Sequence, residues 1–186
     1  MVNSGKTTDT YVALLRGINV GGKNKLPMKD LAEMFAAAGC KEVRTFIQSG
    51  NVIFRCPRGA SARLLEVISA KIAARFGHKP PILLRTPEQL EHVLRNNPFL
   101  KAGAPEEELH VLFLADMPAA ARVKELDPDR SPPDEFEVRG QEIYLRLPNG
   151  AADSKLTNAY FDSKLATCCT SRNWRTVNKL LELMRG

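Results

Sequence analysis

The sequence predicts an α+β protein made of two ferredoxin-like subdomains, each an α-β plait with the element order βαββαβ, and a C-terminal helix after the second. Three observations support this fold. Short apolar runs typical of buried strands alternate with stretches whose apolar residues follow helical spacing. The element order of the first half is that of the split βαβ arrangement, and it recurs in the second half. The length of 186 residues leaves room for two subdomains of about 80 to 100 residues.

The first subdomain, residues 10–86, is marked by regularly alternating strand and helix signals. Its first strand is an apolar run that ends at glycine-rich sequence, which is typical of a strand buried on both faces. A first-turn proline or a capping serine begins each helix, and a glycine ends it. The predicted elements are, in order, strand 11–15, helix 28–38, strands 43–47 and 52–54, helix 61–76 and strand 80–85.

A connecting helix and a linker, residues 87–107, separate the subdomains. The second subdomain, residues 108–186, repeats the element order of the first without convincing residue identity between the halves. Its last helix, about 172–184, is amphipathic and is expected to pack through Trp174. Residues 1–9 are predicted to be a flexible N-terminus. The other predicted elements of the second half are strand 109–114, helix 118–126, strands 135–138 and 142–147, helix 155–166 and a short fourth strand, 167–170.

Composition excludes several classes of protein. No apolar run approaches the roughly 18 residues of a membrane span, and the first ten residues contain no secretory apolar region, so we expect a soluble cytoplasmic protein with no membrane partner. The cysteines form no C-x-x-C pair and the histidines are scattered, so we predict reduced thiols, no metal site and no cofactor. The net charge of +6 is compatible with an anionic partner but does not require one. The oligomeric state is left open.

Three polar clusters are candidate ligand-binding segments. The first follows strand 11–15 and is rich in glycine and asparagine, residues that tolerate positive φ and let backbone N–H groups converge on an anion. The second is the turn between strands 43–47 and 52–54, and the third lies at the start of the last two predicted helices. The candidate residues are Arg16, Gly17, Asn19, Gly21 and Gly22, then Gln48, Ser49 and Asn51, then Lys155, Arg172 and Asn173.

Several blocks of sequence together resemble a known family. YVALLRGINVGG, the helix that begins at Met28, TFIQSGNVIF, SKLTN and TSRNWRTVNKLLEL are similar to the domain of unknown function 1697 family, over about residues 10–185. The resemblance implies an α-β plait fold in two related subdomains. It implies no reaction, substrate or cofactor, but it suggests that the three polar clusters form a surface that defines the family.

The leading functional hypothesis is a cytosolic module that binds a phosphate- or carboxylate-bearing ligand, with nucleic acid as one candidate. Arg16 and Arg172 would supply bidentate bonds, and Arg16, Gln48 and Arg172 are expected to converge in one pocket. An RNA-recognition domain is disfavoured because only 6% of the residues are aromatic and most stacking positions lack a ring. One alternative is an enzyme acting on a small anionic substrate, for which Lys155 is the obvious candidate base and no catalytic residue is assigned. The other is a structural or protein-interaction module without a pocket.

Overall fold

The structure is a computed structural model that describes residues 8–186. Across these residues the chain forms two four-stranded antiparallel sheets and seven α-helices, so the predicted α+β class is confirmed. The prediction of a flexible N-terminus falls mainly on residues 1–7, which lie outside the described residues. Thr8 and Asp9 belong to the first strand.

The chain divides into two compact units, and the first contains the elements up to Gln89 together with Leu180–Gly186. Its elements are β1 (Thr8–Leu15), α1 (Met28–Ala37), β2 (Lys41–Phe46), β3 (Asn51–Pro57), α2 (Ser61–Phe76) and β4 (Ile82–Arg85). The strand order of its sheet is β2-β3-β1-β4.

The first strand is buried on both faces, as its continuous apolar run predicts. Val12 to Leu15 have no exposed surface. Because successive strand residues point to opposite faces, Ala13 and Leu15 join one apolar cluster with residues of α1 and α2, such as Phe35 and Ile68. The glycine-rich segment therefore begins directly after the buried end of β1.

The second unit is Leu90–Lys179. The elements from the connecting helix onward are α3 (Pro87–Arg95), α4 (Pro98–Lys101), β5 (Leu109–Leu114), α5 (Ala120–Lys124), β6 (Glu135–Arg139), β7 (Glu142–Arg146), α6 (Asn158–Leu165), β8 (Cys169–Asn173) and α7 (Trp174–Arg185). The strand order of the second sheet is β6-β7-β5-β8. The divisions between the units fall within α3 and within α7. Within the predicted linker, Asn97 caps the short α4 through the N–H groups of Phe99 and Leu100.

The junction of the last strand and the last helix differs from the prediction. Strand β8 continues to Asn173, and α7 begins only at Trp174. The reason is strand pairing, because β8 lies antiparallel to β5 with Arg172 opposite Val111. The side-chain oxygen of Asn173 then accepts a 2.8 Å hydrogen bond from the Thr176 N–H group, so Asn173 caps the helix.

None of the helices within residues 8–186 has the length and apolar character needed to cross a membrane.

Candidate functional site

The segment after β1 folds into a small hairpin rather than an open glycine loop. The N–H group of Lys23 donates to the Val20 carbonyl at 3.0 Å, and that of Asn19 donates to the Asn24 carbonyl at 3.2 Å. Gly21 and Gly22 form the two-residue turn between these pairs, with φ values of 56° and 74°. Such positive φ values favour glycine in tight hairpins. These two glycines therefore have a clear local role, and their participation in ligand binding stays a prediction.

Asn19 connects the hairpin to the second polar turn. Its Nδ2 group donates to the carbonyls of Leu26 and Gln48, both at 2.9 Å, and its Oδ1 atom accepts from the Leu26 N–H group at 2.8 Å. A neutral amide has two N–H donors. Both donors of Asn19 are bonded to the backbone, so this side chain orders the loop and is not placed to donate to a ligand.

The second turn, Gln48–Asn51, packs directly under the first. The carbonyl of Gly50 accepts from the Leu15 N–H group at 2.8 Å, and a Cβ atom added to Gly50 would lie 2.8 Å from Ile18 Cδ1. Asn51 is fully buried, and its Nδ2 group donates to the Phe46 carbonyl at 3.1 Å and to Ser49 Oγ at 3.0 Å. The first two sequence clusters thus form one interlocked structure.

A cavity of about 290 Å³, here called the Arg16 cavity, opens beside these turns. It is lined by Arg16, Gly17, Asn24, His78, Lys79, Pro80 and Pro81, none of which is acidic. The Arg16 N–H group donates to the Pro81 carbonyl at 3.0 Å, and Asn24 Nδ2 donates to the Gly17 carbonyl at 2.9 Å. The backbone on both sides of the cavity is therefore held in place by hydrogen bonds.

Two basic residues of the cavity lining, His78 and Lys79, were not predicted as site residues from the sequence. Lys79 is exposed, whereas both ring nitrogens of His78 are buried and have no hydrogen-bond partner among residues 8–186. Strand pairing could have indicated them, because β4 runs antiparallel beside β1 and its first residues therefore lie next to the last residues of β1. The pairing of the fourth strand with the first places residue 78 near residue 16.

The third cluster lies in the second unit and is built differently. Arg172 is only 7% exposed, and its guanidinium group donates to Thr170 Oγ1 at 2.9 Å and to the Ser171 carbonyl at 2.7 Å. Burial lowers the pKa of Arg172 to about 10. The prediction that Arg172 lies at a helix start is wrong, because Arg172 is a buried residue of β8.

The remaining residues of this cluster also have local roles. Asn173 caps α7, as described above. Lys155 is exposed, and its backbone N–H group donates to Ser131 Oγ at 3.0 Å. Exposure weakens the enzyme alternative, since a lysine that acts as a general base needs a desolvated environment. The convergence of Arg172 with Arg16 and Gln48 stays a prediction.

Within the part of the chain that the structure describes, no group of three or more histidine, cysteine, aspartate or glutamate residues is placed to hold an ion.

An α+β protein with two four-stranded antiparallel sheets, the first of which carries two interlocked polar turns, is the class that these observations define. The chain belongs to the family described as "Protein of unknown function (DUF1697)", whose model matches residues 8–144. The family resemblance predicted from the sequence is thereby confirmed. The matched range contains Arg16 and Gln48 and ends before Lys155 and Arg172.

Among solved structures, the chain is similar to the conserved bacterial protein SP0830 from Streptococcus pneumoniae. The TM-score is 0.70 and the sequence identity is 24%, over 96% of this chain and 99% of the other. At this identity the similarity shows a shared fold. No curated protein matches the chain.

Proposed function

We propose that this protein is a binding module for a small anionic ligand with a phosphate or carboxylate group, held in the Arg16 cavity. One observation carries the proposal: Arg16, His78 and Lys79, from two separate chain segments, line one cavity that has no acidic residue in its lining. The excess of basic residues in the whole chain, which gives a net charge of +6, favours the approach of an anion.

The lining residues suit a phosphate or carboxylate in complementary ways. The guanidinium of Arg16 matches two oxygens of such a group at once, and Lys79 adds a compact positive charge. His78 lines the same cavity, and neither of its ring nitrogens has a hydrogen-bond partner among residues 8–186. The volume of about 290 Å³ lies just below the range of about 300–1,000 Å³ that is usual for ligand pockets, so the ligand is expected to be small.

The interlocked turns would keep the cavity ready for the ligand. Asn19 joins the two turns, and the backbone bond from Arg16 to Pro81 joins the first turn to the start of β4. A site whose backbone is already ordered loses less conformational entropy on binding. This arrangement supports the view that the asparagines order the site while the basic side chains contact the ligand.

The fold of each unit and the cellular location of the protein are also part of the proposal. We propose that each unit is a ferredoxin-like α-β plait, which the strand orders β2-β3-β1-β4 and β6-β7-β5-β8 support. We further propose a cytoplasmic location, which the four free cysteines support because reduced thiols are usual in that compartment.

The test is isothermal titration calorimetry with inorganic phosphate, pyrophosphate and citrate as probes. The double variant Arg16→Ala, Lys79→Ala is compared with Arg63→Ala, Lys71→Ala, which removes the same charge from α2 of the same unit. We expect at least one probe to bind the parent and the control alike, and to bind the first variant at least tenfold more weakly. Equal binding to all three proteins, or no binding of any probe, would contradict the proposal.

Nucleic acid is the competing anionic partner, and a short single-stranded RNA serves as its probe. Binding to dispersed surface charge would weaken equally in both double variants and would fall steeply with salt. If RNA binds in that manner and the small anions do not bind, the protein binds nucleic acid through its surface and the Arg16 cavity is not the site.

A further inference from the structure

A second cavity in the first unit has a different character from the Arg16 cavity. It has a volume of about 730 Å³ and lies among the C-terminal end of α1, the end of β3 and the first three turns of α2. No residue is common to the linings of the two cavities. We call it the Cys40 cavity, after one of its buried lining residues.

One part of the Cys40 cavity is apolar. Its lining includes Ala37, Leu64 and Val67, and Val67 remains 38% exposed although it is a large aliphatic residue. The thiols of Cys40 and Cys56 complete this wall and are buried. Burial raises the pKa of Cys40 to about 11 and also raises the pKa of Cys56, so both thiols are neutral at pH 7. This wall can therefore contact an apolar chain or ring.

The other part of the cavity is cationic. Arg58, Arg63 and Lys71 line it, and none of the lining residues is acidic. Arg58 is paired with Asp9 at 3.2 Å, whereas Arg63 and Lys71 have no ion-pair partner among the described residues. Arg63, Val67 and Lys71 are each four residues apart on α2, so they form a single stripe along the helix. Positive charge therefore flanks the exposed aliphatic side chain on both sides.

We infer that the Cys40 cavity binds an amphipathic anion, that is, an apolar chain or ring that ends in one carboxylate or phosphate group. The apolar part lies against Leu64, Val67 and the two thiols, and the anionic group is held by Arg63 and Lys71. The volume falls within the range of about 300–1,000 Å³ typical of small-molecule sites, which are mainly apolar with a few charged groups that fix orientation. This inference does not depend on the function proposed for the Arg16 cavity.

Calorimetric titration with decanoate and decyl phosphate, below the concentrations at which they form micelles, tests the inference. Acetate carries the anionic group without the apolar chain, and decyltrimethylammonium carries the chain with the opposite charge. We expect one or both of the decyl anions to bind, and acetate and the cation to bind at least tenfold more weakly. The stronger of the two decyl anions identifies the preferred head group. If neither anion binds, or if the cation binds equally well, the inference is wrong.

Three variants, two in the Cys40 cavity and one in the Arg16 cavity, locate the binding. Arg63→Ala, Lys71→Ala is expected to weaken the decyl anions at least tenfold, whereas Arg16→Ala, Lys79→Ala leaves their affinity unchanged. Val67→Glu, which places a carboxylate within the stripe at a partly exposed position, is expected to reduce binding to a similar extent. If Arg63→Ala, Lys71→Ala and Val67→Glu both bind the decyl anions as the parent does, the inference is overturned. Each double variant is the control for the other site, so failure at one cavity is distinguishable from failure at the other.

Discussion

The interlocked turns of the first unit and the β8–α7 junction of the second use the same residue types for different purposes. In the first unit, Asn19 orders the backbone and leaves the half-buried Arg16 at the edge of a cavity. In the second, Asn173 caps a helix while Arg172 is buried and donates to groups of its own strand. An arginine of a polar motif is therefore a candidate for ligand binding when it lines a cavity, as Arg16 does, and not when it is buried within a strand, as Arg172 is.

The largest expected effect concerns the buried arginine. Arg172→Ala should lower the free energy of unfolding by about 3 to 4 kcal/mol, because hydrogen bonds from a charged donor to Thr170 and Ser171 are lost in a buried setting. The matched control is Arg175→Ala, an exposed position on α7, which should change stability by less than about 0.5 kcal/mol. Urea unfolding followed by circular dichroism measures both. If both variants lose only a little stability, the buried Arg172 has no structural role that the exposed Arg175 lacks.

The close packing of the two turns predicts the next largest effect. Gly50→Ala should cost about 3 kcal/mol, because Gly50 has a φ of +80° and its new Cβ atom would meet Leu15 and Ile18 at 2.8 Å. Gly59→Ala is the control, since Gly59 has the same φ of +80° but nothing within 4 Å of an added Cβ atom. We expect a loss of about 1 kcal/mol there, from backbone strain alone. Equal losses in urea unfolding would mean that the turns are not interlocked by this contact.

Removal of the Asn19 side-chain amide, which connects the two turns, should have an intermediate effect on the free energy of unfolding. Asn19→Ala deletes three hydrogen bonds to backbone groups and should cost about 2 kcal/mol. Asn24→Ala deletes one bond, to the Gly17 carbonyl, and should cost about 1 kcal/mol or less. Hydrogen exchange of the Leu26 amide provides a local measurement, and it should accelerate in Asn19→Ala only. Unchanged protection of that amide would show that Asn19 does not order the loop.

The smallest expected effect is a pH dependence that arises in the second unit. Burial lowers the pKa of His110 in the folded state, so the unfolded chain binds a proton more readily. The contribution of neutral His110 to stability is therefore complete above the unfolded pKa of about 6.5 and is lost as the pH falls through the lower folded pKa. His110→Gln should flatten the decline of the unfolding free energy between pH 7 and pH 5. His92→Gln, at an exposed position, should leave that decline unchanged.

Much of the fold could be predicted from the sequence because its signals are local. The uninterrupted apolar run of β1 predicts a strand buried on both faces, and Gly77, with a φ of 72°, ends α2 as expected. The junction at Arg172 could not be predicted in this way. Its polar residues have the composition of a helix cap, and only pairing with β5 makes them a strand.

The composition of the candidate site was also only partly predictable. Arg16 stood out because it follows β1 within a motif. His78 and Lys79 did not, because their proximity to Arg16 depends on the pairing of β1 with β4 across more than 60 residues of sequence. The Cys40 cavity had no sequence signal, since its shape depends on how α1, α2 and β3 pack.

The histidine ring signals in an NMR titration with the tightest-binding of phosphate, pyrophosphate and citrate show whether Arg16, His78 and Lys79 bind one small anion. The chain has only three histidines, His78, His92 and His110, so each imidazole can be assigned by single substitution. We expect a saturable shift of the His78 signals, with His92 and His110 unchanged, and loss of that shift in Arg16→Ala, Lys79→Ala. A His78 signal that does not move, or an equal shift of all three histidines, would contradict it.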